Sequence, residues 1–149
     1  MVMIENDIPK EPYELFGVEC CDGWNKLIKQ IIEYVENYNK DKNDSDKIVI
    51  CQIKEKFGEL CIYVDNSTKE LDDMIRYEED ESLNTCELCG STSNVGHTTK
   101  GWITTMCKDC ASKQAVRARH QVYWLDNETR KLYAFDENGN CREIEKSKN

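Results

Sequence analysis

The chain has 149 residues, 39 % of them hydrophobic, and carries a net charge of −9. No apolar run approaches the ~18 residues of a membrane-spanning helix, so no membrane protein is expected. The acidic balance disfavours attachment to nucleic-acid backbones over the whole surface. That charge is uneven: residues 1–85 hold 21 acids and 10 bases, a balance of −11, and residues 86–149 hold 8 acids and 10 bases, a balance of +2. The opening residues Met1–Asp7 place acids where an export signal needs a basic segment and a long apolar stretch, so no such signal is expected. Nine cysteines then fit a reducing, cytoplasmic setting better than a disulfide scaffold.

In chain order, residues 1–19 read as an irregular lead-in broken by Pro9 and Pro12. Asp22 is a suitable N-cap for a first helix, and Trp24, Leu27, Ile28, Ile31, Val35 and Tyr38 follow at helical spacing as its core stripe. Residues 39–47 read as a polar, mobile loop. Ile48–Ile53 and Leu60–Val64 read as paired strands, with residues 54–59 as the turn and Gly58 at its left-handed position. Cys51 and Cys61 are expected to be reduced core thiols, facing each other if the register allows. Phe57 is expected to fold back over the sheet edge; the other reading is an exposed contact for a partner. Ser67 and Glu70 have capping-box spacing for a second helix whose inner face is set by Leu71, Met74, Ile75 and Glu78, apolar over only about two turns. The acidic run Glu78–Glu81 is expected to be solvated.

Two CxxC pairs organise the second half. Cys86, Cys89, Cys107 and Cys110 can each place a thiolate about 2.3 Å from one shared zinc ion. Gly90 follows the first pair where a tight turn needs positive φ, and the second pair runs into a helical stretch, residues 111–119. A turn pair, a hairpin and a pair in the first turn of a helix give the layout of a treble-clef zinc finger. The competing reading is two redox dithiols. Trp102–Met106 is expected to be the strand that delivers Cys107, with Trp102 as the small core of the finger or, alternatively, an exposed aromatic platform. His97 is not expected as a ligand, because four cysteines complete a tetrahedron. Beyond the finger, residues 121–125, 131–135 and 141–144 read as an antiparallel meander with an Asn138-Gly139 turn, and residues 146–149 as a frayed end.

The expected fold class is therefore α+β. It comprises an acidic helix–hairpin–helix part (1–84), a treble-clef-like finger (85–120) and a C-terminal β-meander (121–149), packed as one unit.

Cys20-Cys21-Asp22-Gly23-Trp24, Gln52-Ile53-Lys54-Glu55-Lys56-Phe57-Gly58, Thr85-Cys86-Glu87-Leu88-Cys89-Gly90, Gly101-Trp102 and Cys107 form an ordered series. The series resembles a family of small proteins encoded by bacteriophages, prophages and bacteria. Its members carry a GDGW-type helix start, a VKEKFG-type hairpin and a zinc finger with a GW before the second ligand pair. The resemblance spans residues 17–111. It implies a structural zinc and a genetic setting, not a mechanism.

An enzyme is not expected: the two histidines, His97 and His120, are isolated, and no phosphate loop or nucleophile motif is present. A protein-interaction module is the leading expectation. A nucleic-acid-binding finger is the alternative, through Lys113, Arg117 and Arg119 with Trp102. A further variant is an acidic DNA mimic using Asp72, Asp73 and Glu78–Glu81. Phe57 is a second candidate partner contact, and Asp22, Trp24, Lys54 and Lys56 would form a ligand pocket if they converge.

Overall fold

The computed structural model describes residues 22–145. The expectations for the lead-in and for residues 146–149 fall outside them. A 3-10 turn, Asp22–Trp24, leads into α1, Asn25–Asn39. Asp22 does not cap this helix; Trp24 holds the N-cap position without a side-chain cap bond. The apolar stripe packs as its spacing requires, with Trp24, Ile28, Ile31, Ile32 and Val35 buried.

Strands β1 (Val49–Lys56) and β2 (Glu59–Asp65) form an antiparallel hairpin. They are longer than their β-branched cores suggest, and the turn shrinks to Phe57-Gly58. Both turn residues have positive φ, 52° and 82°, which matches the right-handed twist of the strands. Gly58 adopts this conformation freely, whereas Phe57 is a bulky residue in a region that disfavours it. Phe57 is also 73 % exposed, so it does not fold back over the sheet. A bulge between Ile50 and Gln52 takes up Cys51, and Cys61 pairs with Lys54. The two thiols therefore do not face each other; Cys51 is exposed and Cys61 only half-buried.

The polar loop after α1 is pinned from both sides. Asn39 exchanges two side-chain hydrogen bonds with the backbone of Ile48, at 2.9 and 2.8 Å. The Asn66 amide donates to the carbonyls of Ser45 and Lys47.

Helix α2, Lys69–Ser82, is capped by Thr68, whose hydroxyl accepts the Leu71 N–H at 3.0 Å. The cap lies one residue later than the Ser67 expectation, and Ser67 instead bonds Asp72. The C-terminal turn of α2 serves the open edge of β2. Ser82 Oγ accepts the Leu60 N–H at 3.0 Å, and the Glu79 carboxylate accepts the Ile62 N–H at 3.0 Å. Thus the acidic run is not a solvated tail. Glu78 is buried with its Oε2 unpartnered, and burial with the nearby Glu81 charge pushes its carboxyl pKa up.

The second half is built on one antiparallel sheet in the order β4-β3-β5-β6-β7. Its strands are β3 (Val95–Thr98), β4 (Thr105–Cys107), β5 (Val122–Asp126), β6 (Leu132–Phe135) and β7 (Cys141–Ile144). Helix α3, Lys108–Ala118, runs directly from β4 and buries Ala111 and Ala115. The meander strands therefore extend the finger hairpin, through β3 pairing with β5. The chain is α+β with antiparallel sheets, and no helix among the described residues is long and apolar enough to cross a membrane.

The tryptophan at the centre of this half is Trp124, not Trp102. Trp124 is fully buried, packs edge-on to Phe135 at 6.0 Å and donates its indole N–H to the Met106 carbonyl at 2.8 Å. Trp102 lies in the loop before β4 and is 77 % exposed.

Candidate metal centre

Two backbone devices bring the four cysteines together. The first is the Cys86–Gly90 turn, closed by the Gly90 N–H donating to the Cys86 carbonyl at 2.9 Å, with Gly90 at φ +81°. The second is the β4–α3 junction, where Cys107 is the N-cap of α3 and its sulfur accepts the Cys110 N–H at 3.5 Å. One ligand atom from each of Cys86, Cys89, Cys107 and Cys110 lies within 4.8 Å of every other. Cys89 and Cys107 sulfurs are 3.7 Å apart. A tetrahedron with metal–sulfur bonds of about 2.3 Å sets its sulfurs about 3.8 Å apart, so this set fits a metal ion. None of the four is in a disulfide.

The pKa shifts of three of these thiols differ in direction. Burial pushes the Cys107 and Cys110 thiols up. At Cys89 burial acts the same way, but the Ser91 backbone and the neighbouring sulfurs outweigh it, and the net shift is downward. Four thiolates this close repel one another. Full deprotonation needs a cation between them, and metal binding must release protons. His97 sits in β3 and is not part of the cluster.

The cluster lies at the seam between the two halves. The Gly23 N–H donates to the Glu87 carbonyl at 2.7 Å, and the Trp24 indole N–H donates to the Thr85 carbonyl at 2.9 Å. A Cβ on Gly23 would stand 2.1 Å from the Cys86 carbonyl oxygen and 2.4 Å from Glu87 backbone atoms. Only glycine permits this approach. On the other side of the turn the Glu87 N–H donates to the Thr105 carbonyl at 2.9 Å, and the Thr105 hydroxyl donates to the Gly58 carbonyl. The helix start, the hairpin tip and the cysteine turn are thus bonded into one junction. Sequence reasoning missed the roles of Gly23 and Thr105; a glycine directly before a core tryptophan was the available signal.

Trp24 is fully buried, Asp22 is exposed, and Lys54 Nζ lies 5.6 Å from the Tyr63 ring centroid. Lys56 instead lines a cleft with Phe57 and Trp102. Lys113 and Arg117 are exposed one helical turn apart on α3, whereas Arg119 occupies the left-handed C-cap at φ 58°.

Comparison with protein-family models, curated proteins and solved structures gives no match to this chain.

Proposed function

We propose that the chain is a small, non-enzymatic interaction protein whose four cysteines hold a structural zinc ion in a treble-clef-like finger. The observation that carries this reading is the four-sulfur cluster at the seam of the two halves. Four thiolates suit zinc and saturate it, leaving no position for a reacting water or substrate. Such an ion stiffens surfaces rather than performing chemistry. The sequence resemblance supplies the setting: a phage- or prophage-encoded protein in a bacterial cytoplasm, acting on a host macromolecule or defence factor. The test is retention of a host protein from bacterial extract on the immobilised, zinc-loaded chain. A protein retained by the loaded chain and released by chelation supports the reading. Equal retention by the chelated chain contradicts it.

The alternative of a nucleic-acid-binding finger draws on the exposed Lys113 and Arg117 on α3. It predicts a labelled-DNA or RNA shift that weakens steeply with salt. The DNA-mimic variant is less well supported, because Glu78 is buried and the Glu79 carboxylate is engaged with Ile62.

A further inference from the structure

The four clustered cysteines are not equally sheltered. Cys86 and Cys107 are 0 % and 4 % exposed, Cys110 is half-buried, and Cys89 is exposed. The cluster therefore has one corner open to solvent, where a small oxidant can arrive. A second sulfur waits beside that corner. Cys89 Sγ lies 3.7 Å from Cys107 Sγ, which belongs to the other CxxC pair. A disulfide sets its sulfurs about 2.0 Å apart, so this pair closes by moving less than about 2 Å. The Cys110 N–H that Cys107 Sγ accepts is 3.5 Å away, a long bond that restrains the sulfur little. Cys51 and Cys141 are exposed too, but both lie outside the cluster.

The open corner is also connected to the seam. Cys86 and Cys89 share the turn that carries Glu87, whose carbonyl accepts the Gly23 N–H and whose N–H donates to Thr105. The preceding residue, Thr85, accepts the Trp24 indole N–H. A change of ligation at Cys89 therefore reaches the contacts between the two halves.

We propose that Cys89 is an oxidation site, at which a peroxide joins it to Cys107 in a disulfide that ejects the metal ion and loosens the seam. The proposal rests on the structural-zinc reading and gives that site a regulation. Metal ligation holds both sulfurs as thiolates, the nucleophilic form. The Cys89 thiolate attacks one peroxide oxygen, the O–O bond breaks and hydroxide leaves, giving a sulfenic acid. The Cys107 thiolate then attacks the Cys89 sulfur; the S–S bond forms, the S–O bond breaks and a second hydroxide leaves. The two sulfurs give up two electrons, and the peroxide takes them with two protons from solvent to end as two waters. Cys86 and Cys110 remain, two ligands short of a structural zinc site.

The experiment treats the zinc-loaded full chain with hydrogen peroxide, follows zinc release with a chromogenic chelator and maps disulfides after blocking free thiols. Trypsin places Cys86 and Cys89 in residues 77–100, Cys107 in 101–108 and Cys110 in 109–113, and a further cut after Glu87 separates Cys86 from Cys89. Expected is about one disulfide per ion released, joining 88–100 to 101–108, with the loaded form recovered on adding dithiothreitol and zinc. Amide exchange at Gly23 and Glu87 should speed up at least tenfold on oxidation. Cys89→His keeps four ligands and should release the ion at least tenfold more slowly, whereas Cys110→His should release it at the wild-type rate. If either histidine variant fails to load, the wild-type map decides alone. A first disulfide between Cys86 and Cys89, a link to Cys110, release without a disulfide, unchanged exchange at the seam, or equal release from the two variants overturns the proposal. Zinc that stays bound while peroxide oxidises only Cys51 or Cys141 also overturns it and leaves the structural-zinc reading standing. A purified chain that holds no zinc at the outset fails that reading first.

Discussion

The helix–hairpin half closes over twelve buried core residues, all aliphatic or aromatic, from Trp24 to Ile75. The sheet half closes over nine, and two of these are the ligands Cys86 and Cys107 while two more are alanines. The first interior holds itself together by apolar burial, at roughly 1.5–3 kcal/mol per large side chain. The second is smaller and richer in sulfur, and under the proposed reading an ion held by its four cysteines adds its binding free energy to folding. Between them the seam includes one backbone bond, Gly23 N–H to the Glu87 carbonyl, and two side-chain bonds, the Trp24 indole to the Thr85 carbonyl and the Thr105 hydroxyl to the Gly58 carbonyl.

The largest effect should come from breaking the metal dependence. Cys107→Ser should cost the second half most of its stability, out of an apparent zinc contribution of about 10 kcal/mol. Hydrogen exchange should then show open amides at Trp124 and Phe135 while those of Ile28 and Ile53 stay protected. Uniform loss of protection would mean that the two halves fold as one and the contrast is false. Next, Gly23→Ala attacks the seam. Its Cβ would meet backbone atoms of Cys86 and Glu87 at 2.1–2.4 Å, which forces the backbone to shift, so a loss of about 3 kcal/mol in urea unfolding is expected. A loss below about 0.5 kcal/mol would show that the close approach carries no weight.

Glu78 offers the opposite sign. Its carboxyl pKa is raised in the fold, so the charged form is disfavoured at and above neutral pH and the penalty fades as pH falls through the raised value. Glu78→Leu should therefore stabilise by about 1–3 kcal/mol at pH 8. That gain should shrink in acid, where the native carboxyl is protonated. A pH-independent difference between the two chains would remove the buried-charge account. The smallest effect is Phe57→Asn, which should raise stability by about 1 kcal/mol by relieving the left-handed strain. A thermal melt that falls instead would mean that the Phe57 ring supports the fold.

Legibility in the sequence followed the range of the interaction. The α1 stripe, the strand pair and the CxxC spacing are local patterns, and each appears where expected. The N-cap of α2 moved by one residue: Ser67 and Thr68 are both competent caps, and Thr68, which also meets the Tyr34 hydroxyl, takes the position while Ser67 bonds Asp72. Trp102 and Trp124 both lie in runs of strand character. Which one enters the core depends on β3 pairing with β5, and no local pattern encodes that. The extra residue at Cys51 likewise became a bulge that spacing alone does not place. The seam was least legible, since Gly23 meets Cys86 and Glu87 from far along the chain and through backbone atoms.

The most direct measurement is elemental analysis of the purified chain with a melting curve before and after chelation. The account predicts about one zinc ion per chain and a midpoint that falls by more than ~10 °C when the ion is removed. No bound metal, with Cys86, Cys89, Cys107 and Cys110 free or paired as disulfides and a melt unchanged by the chelator, would contradict it.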